Sequence, residues 1–110
     1  MRVVVGCDGG GTKCHVRLAV VDDEGTIAHV FDSVSGAANF RADPTASLRN
    51  IENGLRRVLS DAERTVDSID CFVAAIAGTG SPVLQVECER RLVDLVRCAA
   101  VQVDRIERWD

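Results

Sequence analysis

GCDGGGTKC, Gly6 to Cys14, is the stretch on which the reading of this chain turns. An apolar run, Arg2 to Val5 (RVVV), leads into it, so three tandem glycines sit where a strand ends. Three kinds of loop compete for that pattern. A P-loop needs GxxxxGK[ST]; Gly6 and Gly11 have the spacing, but Thr12-Lys13-Cys14 comes next, with lysine and hydroxyl out of order. A dinucleotide fingerprint needs GxGxxG opening a helix, and neither the spacing nor a helical pattern is present. Both of those loops aim a helix N-terminus at phosphate. The residues from His15 onward alternate like a strand instead, which leaves a hairpin. In such a hairpin glycines permit positive φ and close approach of a ligand, and successive N–H groups form an anion nest. The Thr12 hydroxyl and Lys13 add donors. Asp8, beside the nest, would repel bare phosphate and makes sense if Mg²⁺ lies between them. The plain alternative is a glycine-rich hairpin that binds nothing, but hairpin turns usually use one glycine rather than three flanked by an acid and a threonine.

Outward from the hairpin, residues 2 to 8 read as a buried strand. Residues 15 to 22 alternate, with Val16, Leu18 and Val20 on one face and His15 and Arg17 on the other. DDEG at 22 to 25 is a turn, and residues 26 to 34 alternate again, with Ile27, Ala28, Val30 and Val34 as the apolar positions. Three strands joined by tight turns predict an antiparallel meander. After the loop GAAN (36 to 39), Asp43 can cap a helix and Pro44 suits its first position. Leu48, Ile51, Leu55, Val58, Leu59 and Ala62 then form one helical stripe to about residue 64, which Gly54 weakens. DCFVAAIAG (70 to 78) reads as a buried, parallel-type strand ending in glycine. Ser81-Pro82 repeats the cap-then-proline signal ahead of a second stripe, Leu84, Cys88, Leu92, Leu95, Val96 and Ala99. A final strand is expected within 101 to 110. The order strand-strand-strand-helix-strand-helix-strand predicts an α/β fold, a mixed five-stranded sheet with helices against it, and a single domain over residues 1–110.

At 110 residues the chain can bury roughly two-thirds of its unfolded surface, enough for one core. Its net charge of −4 gives no electrostatic footprint for nucleic acid. No apolar run reaches the length of a membrane span, and the N-terminus does not read as a secretory signal. Cys7, Cys14, Cys71, Cys88 and Cys98 contain no CxxC pair; all five are expected as free thiols in a reducing cytoplasm. Neither His15 nor His29 has the spacing of a zinc ligand.

GCDGGGTKCHVRLAVVDDEG, with SGAAN after it and AAIAG after one helix, resembles the N-terminal lobe of N-acetylglucosamine and glucosamine kinases. These belong to the BadF/BadG/BcrA/BcrD-type ATPases, within the actin/hexokinase/Hsp70 superfamily. The resemblance covers essentially the whole chain and implies a ribonuclease H-like (actin-like ATPase) lobe, with the second lobe absent from this chain. It implies ATP and Mg²⁺ as cofactors and a small sugar as substrate. Asp8 would serve the metal, and Gly10, Gly11, Thr12 and Lys13 would hold the terminal phosphates. Asn39, Gly78 and Thr79 fall where the family lines its sugar cleft, although Asn39 also reads as a turn residue and Gly78 as a tight strand-to-helix turn. The catalytic base would be the acid at the end of the last strand, Asp110, with Asp104 as its competitor. AGTGS at 77 to 81 is similar to a phosphate loop of the family's second lobe, but its place after the fourth strand marks the similarity as accidental. The resemblance also implies a cytoplasmic protein and allows a homodimer of the full-length form. The closest rival branch is the ATPase activators of 2-hydroxyacyl-CoA dehydratases and benzoyl-CoA reductases. Sugar-sensing regulators of the superfamily usually carry a helix-turn-helix first, whereas here Met1 leads straight into a strand.

Overall fold

The computed structural model describes residues 1–97 and, as backbone, 101–105. Five strands, β1 (Arg2–Gly9), β2 (Cys14–Val21), β3 (Ile27–Ser35), β4 (Cys71–Ile76) and β5 (Val101–Arg105), form one mixed sheet in the order β3-β2-β1-β4-β5. The first three are an antiparallel meander; β4 runs parallel to β1, and β5 parallel to β4. Helix α1 (Pro44–Asp61) connects β3 to β4 and α2 (Pro82–Val96) connects β4 to β5.

The helix starts arise from local chemistry. The Asp43 carboxylate accepts from the Ala46 N–H at 3.0 Å and the Ser81 hydroxyl from the Leu84 N–H at 3.2 Å, with proline in the first turn of each helix. α1 ends at Asp61, earlier than its apolar stripe predicts, and α2 ends at Val96 with Arg97 left-handed at φ 50°. Ala99, the last residue of the predicted second stripe, lies outside the described residues, as does Cys98.

Both helices cover one face of the sheet. Val3, Val5 and Cys7 of β1, Val16, Leu18 and Val20 of β2, and Phe72, Ala74 and Ile76 of β4 point into it. They meet Ile51, Leu55 and Val58 of α1 and Cys88, Leu92 and Val96 of α2. The period-two reading of β2 is met: its three apolar residues are buried and Arg17 is exposed. β4 differs from a strand buried on both faces, because Val73 on the opposite face is 42% exposed.

β3 corrects the expectation from sequence. Ile27, Ala28, Val30 and Val34 are its apolar positions, and all four are exposed. Pairing with β2 sets the parity, matching Leu18 with Phe31, Val16 with Ser33 and Cys14 with Ser35. The inward residues are therefore Phe31 and two serines, which bond helix carbonyls instead of filling volume. Ser33 Oγ donates to the Gly54 carbonyl at 2.8 Å and Ser35 Oγ to the Asn50 carbonyl at 2.6 Å. Unpaired hydroxyls there would be costly, so the backbone of α1 is drawn down onto the edge strand.

That approach explains Gly54. A Cβ on it would stand 2.8 Å from Val16 Cγ2 and 3.2 Å from Ser33 Oγ. Glycine to alanine inside a helix normally gains about 1 kcal/mol. Here Gly54→Ala is expected to destabilise by about 1 kcal/mol or more, because the overlap exceeds the propensity gain. Thermal or urea unfolding of the variant would show it, and a rise in stability would mean that α1 is free to lift from β2.

Candidate functional site

The loops that the sequence singles out converge at one end of the sheet. No helix comes after the glycines: β2 begins at Cys14, which removes the P-loop reading. The Gly9 carbonyl accepts from the Ala77 N–H at 2.7 Å and the Gly10 carbonyl from the Ala38 N–H at 2.8 Å. Asn39 forms an isolated parallel bridge with Ala77, whose carbonyl accepts from the Phe40 N–H at 2.8 Å. The hairpin, the GAAN loop and the end of β4 are thus laced together through backbone groups.

The glycines of the hairpin have different reasons to be there. A Cβ on Gly9 would lie 2.9 Å from both Ala38 Cβ and Ile76 Cδ1, so the junction of the three segments demands glycine. Gly10 would meet only the Lys13 carbonyl, at an ordinary 3.5 Å, and Gly11 would meet nothing within 4 Å. Positive φ among glycines is confined to Gly25 and Gly78, so the expectation that the tandem glycines supply it is not met. Nor is the Gly10 N–H free for an anion, because it donates to the Lys13 carbonyl at 2.8 Å and closes the turn. The Gly11 and Thr12 N–H groups make no hydrogen bond to a described residue.

On the sheet face away from the helices, Asp8, Gly10, Thr12, Lys13, His15 and Val34 line a concavity of about 440 Å³. Among the described residues, the Asp8 carboxylate and the Lys13 ammonium take part in no ion pair. Asp8 stands opposite His15 across the β1–β2 ladder. The His15 ring is held by Asp32, Nε2 to Oδ1 at 2.8 Å, and Asp32 also accepts from Arg17 Nε at 2.7 Å. The Arg17 guanidinium, then His15, hold the Asp32 carboxyl below its usual range. Sequence periodicity puts His15 and Arg17 on one face, but Asp32 joins them only through the register of β3.

Asn39 and Gly78 meet. Gly78 has φ +82°, and a Cβ on it would overlap Asn39 Oδ1 and stand 2.5 Å from the Arg41 nitrogen. Asn39 Oδ1 accepts from the Ala42 N–H at 3.2 Å, an Asx turn, while its amide nitrogen donates to no described residue. Thr79 departs from the expectation: it is fully buried, and its hydroxyl donates to the Ile76 carbonyl at 2.8 Å, so the fold withdraws it from the cleft surface. By backbone register Asp104 shares a rung with Ala75, which in turn pairs with Asp8. Asp110, with Ile106 and Trp109, lies outside the described residues.

Cys7 and Cys14 flank the hairpin on the core side, Sγ to Sγ at 3.4 Å. The shared hydrogen bond and burial push the Cys7 thiol far up, and burial pushes Cys88 up to about 12. No cluster of metal-ligating side chains occurs among the described residues, so Mg²⁺ here would rest on Asp8, phosphate and water. The Asp8 carboxylate, the Thr12 amide and the Lys13 ammonium at this concavity, with the Gly11 amide next to them in the chain, fit a magnesium–phosphate group. No helix among the described residues is long and apolar enough to cross a membrane.

No family model and no curated protein matches the chain. Solved structures do. A candidate N-acetylglucosamine kinase from Chromobacterium violaceum superposes on 96% of this chain and 35% of its own, at TM-score 0.71 and 18% identity. The fold is theirs in common. A second candidate N-acetylglucosamine kinase, from Porphyromonas gingivalis, covers 93% of the chain and 34% of its own at TM-score 0.60 and 19% identity. A diol dehydratase-reactivating factor in nucleotide-free form covers 68% and 12% at TM-score 0.58 and 21% identity. The chain spans about a third of the length of the two candidate kinases, and identities this low establish the shared fold alone.

Proposed function

We propose that this chain is one lobe of a cytoplasmic, ATP-dependent amino-sugar kinase acting on N-acetylglucosamine or glucosamine. One observation carries the reading most: Gly10 and Gly11 are glycine at positions where neither φ nor the packing of the described residues asks for it. Gly9 and Gly78 have such reasons; these two do not. Glycine beside an open concavity, between an acid and a lysine, is what close approach of a phosphate to the backbone requires. The shared fold with two candidate sugar kinases supports the same assignment.

In this reading the Gly11 and Thr12 amides, the Thr12 hydroxyl and Lys13 hold the terminal phosphates, and Gly10 contributes its open surface rather than its N–H. Asp8 holds Mg²⁺, which when bound neutralises phosphate charge. Asn39 keeps its oxygen for the turn and offers its amide N–H to a sugar hydroxyl, with Gly78 shaping the loop beneath it. Thr79 is left out of the sugar contacts because its hydroxyl is committed inside the fold. An acid at the end of β5 takes the proton from the attacking hydroxyl. Asp110 is the acid that the sequence favours, and Asp104, in register with Ala75 and through it with Asp8, is its competitor. Closure against a second lobe would exclude water, and positioning would carry most of the rate.

The test is an amide chemical-shift titration of the chain with Mg·ATP. Gly11, Thr12 and Lys13 are expected to respond, and only when Mg²⁺ is present. Gly11→Val is expected to keep its melting temperature and lose that response, since a Cβ there would meet no atom of the described residues within 4 Å. An unresponsive hairpin, or an equally responsive variant, would remove the phosphate role. Sugar-independent ATP hydrolysis by the full-length protein would favour an ATPase-activator reading, consistent with the fold shared with the reactivating factor.

A further inference from the structure

We infer that Cys7 and Cys14 form a reversible dithiol–disulfide pair whose oxidation reshapes the hairpin between them. The two sulfurs are 3.4 Å apart and already in hydrogen-bond contact, and their residues bracket Asp8 to Lys13. Cys7 pairs with Val16 and Cys14 with Gly9, so the cysteines are diagonal neighbours on the helix-covered face. Diagonal Cα atoms in an antiparallel pair are about 7–8 Å apart. A disulfide wants sulfurs at about 2.05 Å and Cα atoms within about 7 Å. Bonding therefore has to draw the backbone in by roughly an ångström, and the two residues differ in how far they can yield. Cys7 lies inside β1, paired on both sides by β2 and β4. Cys14 is also paired on both sides, with Gly9 and with Ser35, but it is the first residue of β2 and the last rung of the β1–β2 ladder, directly after the exposed residues Gly11, Thr12 and Lys13. The displacement thus falls on Cys14 and the hairpin.

Both thiols are buried, so an oxidant reaches them by fraying of that last rung, which needs only local opening. Hydrogen peroxide is small enough. One thiol attacks the O–O bond, becoming a sulfenic acid as one water leaves. The second thiol attacks that sulfur, forming S–S and releasing another water. The pair loses two electrons and two protons, and the peroxide is reduced to two waters; a dithiol reductant reverses the change.

The experiment uses the unaltered chain. After exposure to hydrogen peroxide, free thiols are alkylated under denaturing conditions and the chain is digested with trypsin without reductant. Cleavage after Arg2, Lys13 and Arg17 leaves Cys7 in Val3–Lys13 and Cys14 in Cys14–Arg17, each with one cysteine. The expected product is these two peptides joined, and separated by dithiothreitol. In parallel, amide spectra of the nucleotide-free chain should show the largest oxidation shifts at Gly10 to Lys13 and return on reduction. Alkylated Cys7 and Cys14 in separate peptides, or Cys7 joined to the peptide carrying Cys88, would overturn the pairing. A joined pair with an unshifted hairpin would overturn the reshaping. Neither readout involves nucleotide, so the result stands apart from the kinase reading.

Discussion

Asp8→Asn in the full-length kinase proposed here is expected to lower sugar phosphorylation by roughly a thousandfold, the scale of losing a preorganised charge partner at a phosphoryl group. The substitution is nearly isosteric, and among the described residues no hydrogen bond or ion pair engages the Asp8 carboxylate. Folding should therefore be untouched, and the melting temperature should match that of the parent. The loss should be deepest at low Mg²⁺ and fall mainly on kcat, because the carboxylate acts on charge that builds during transfer. A coupled ADP-release assay with N-acetylglucosamine and with glucosamine measures it. Parental turnover in the variant would take Asp8 out of the site, whereas a fall in melting temperature would show that the residue holds the sheet.

Gly78→Ala carries the largest expected effect on stability. Two independent penalties coincide there. The backbone sits at φ +82°, which an L side chain adopts only under strain, and the new Cβ would overlap Asn39 Oδ1 and come within 2.5 Å of the Arg41 nitrogen. Relief would require breaking the Asx turn at Asn39 and the lacing of the GAAN loop to Ala77. The expected loss is on the order of 3 kcal/mol, and a domain of this size then melts lower by on the order of 15 °C. Gly11→Ala is the control, with open space around it and no expected change. Equal melting of the two variants would show that the Asn39–Gly78 contact gives way freely.

Much of this fold is written locally. Asp43-Pro44 and Ser81-Pro82 fix the helix starts because capping and proline geometry act within one turn. The alternation in β2 fixes which of its faces is buried, and the tight turn at Asp22 to Gly25 fixes the meander. The same holds for the candidate phosphate hairpin: triple glycine, a preceding acid and a strand pattern after it separate it from the helix-opening loops without any tertiary information.

Other features depend on partners distant in the chain. The parity of β3 could not be read from its valines, because pairing with Leu18 and Val16 decides it and two serines serve the inner face by bonding α1. Thr79 looks like a cleft residue until the end of β4 turns its hydroxyl to the Ile76 carbonyl. The Gly10 N–H looks available until the turn closes on Lys13. The distinction between Gly9, demanded by Ala38 and Ile76, and Gly11, demanded by none of the described residues, exists only once three separate segments meet. Sequence alone determined which residue types stand at the hairpin and where the elements begin. Tertiary structure decided which of those groups remain free to act, because a hydrogen bond or a van der Waals contact with a remote segment is not encoded by either residue alone.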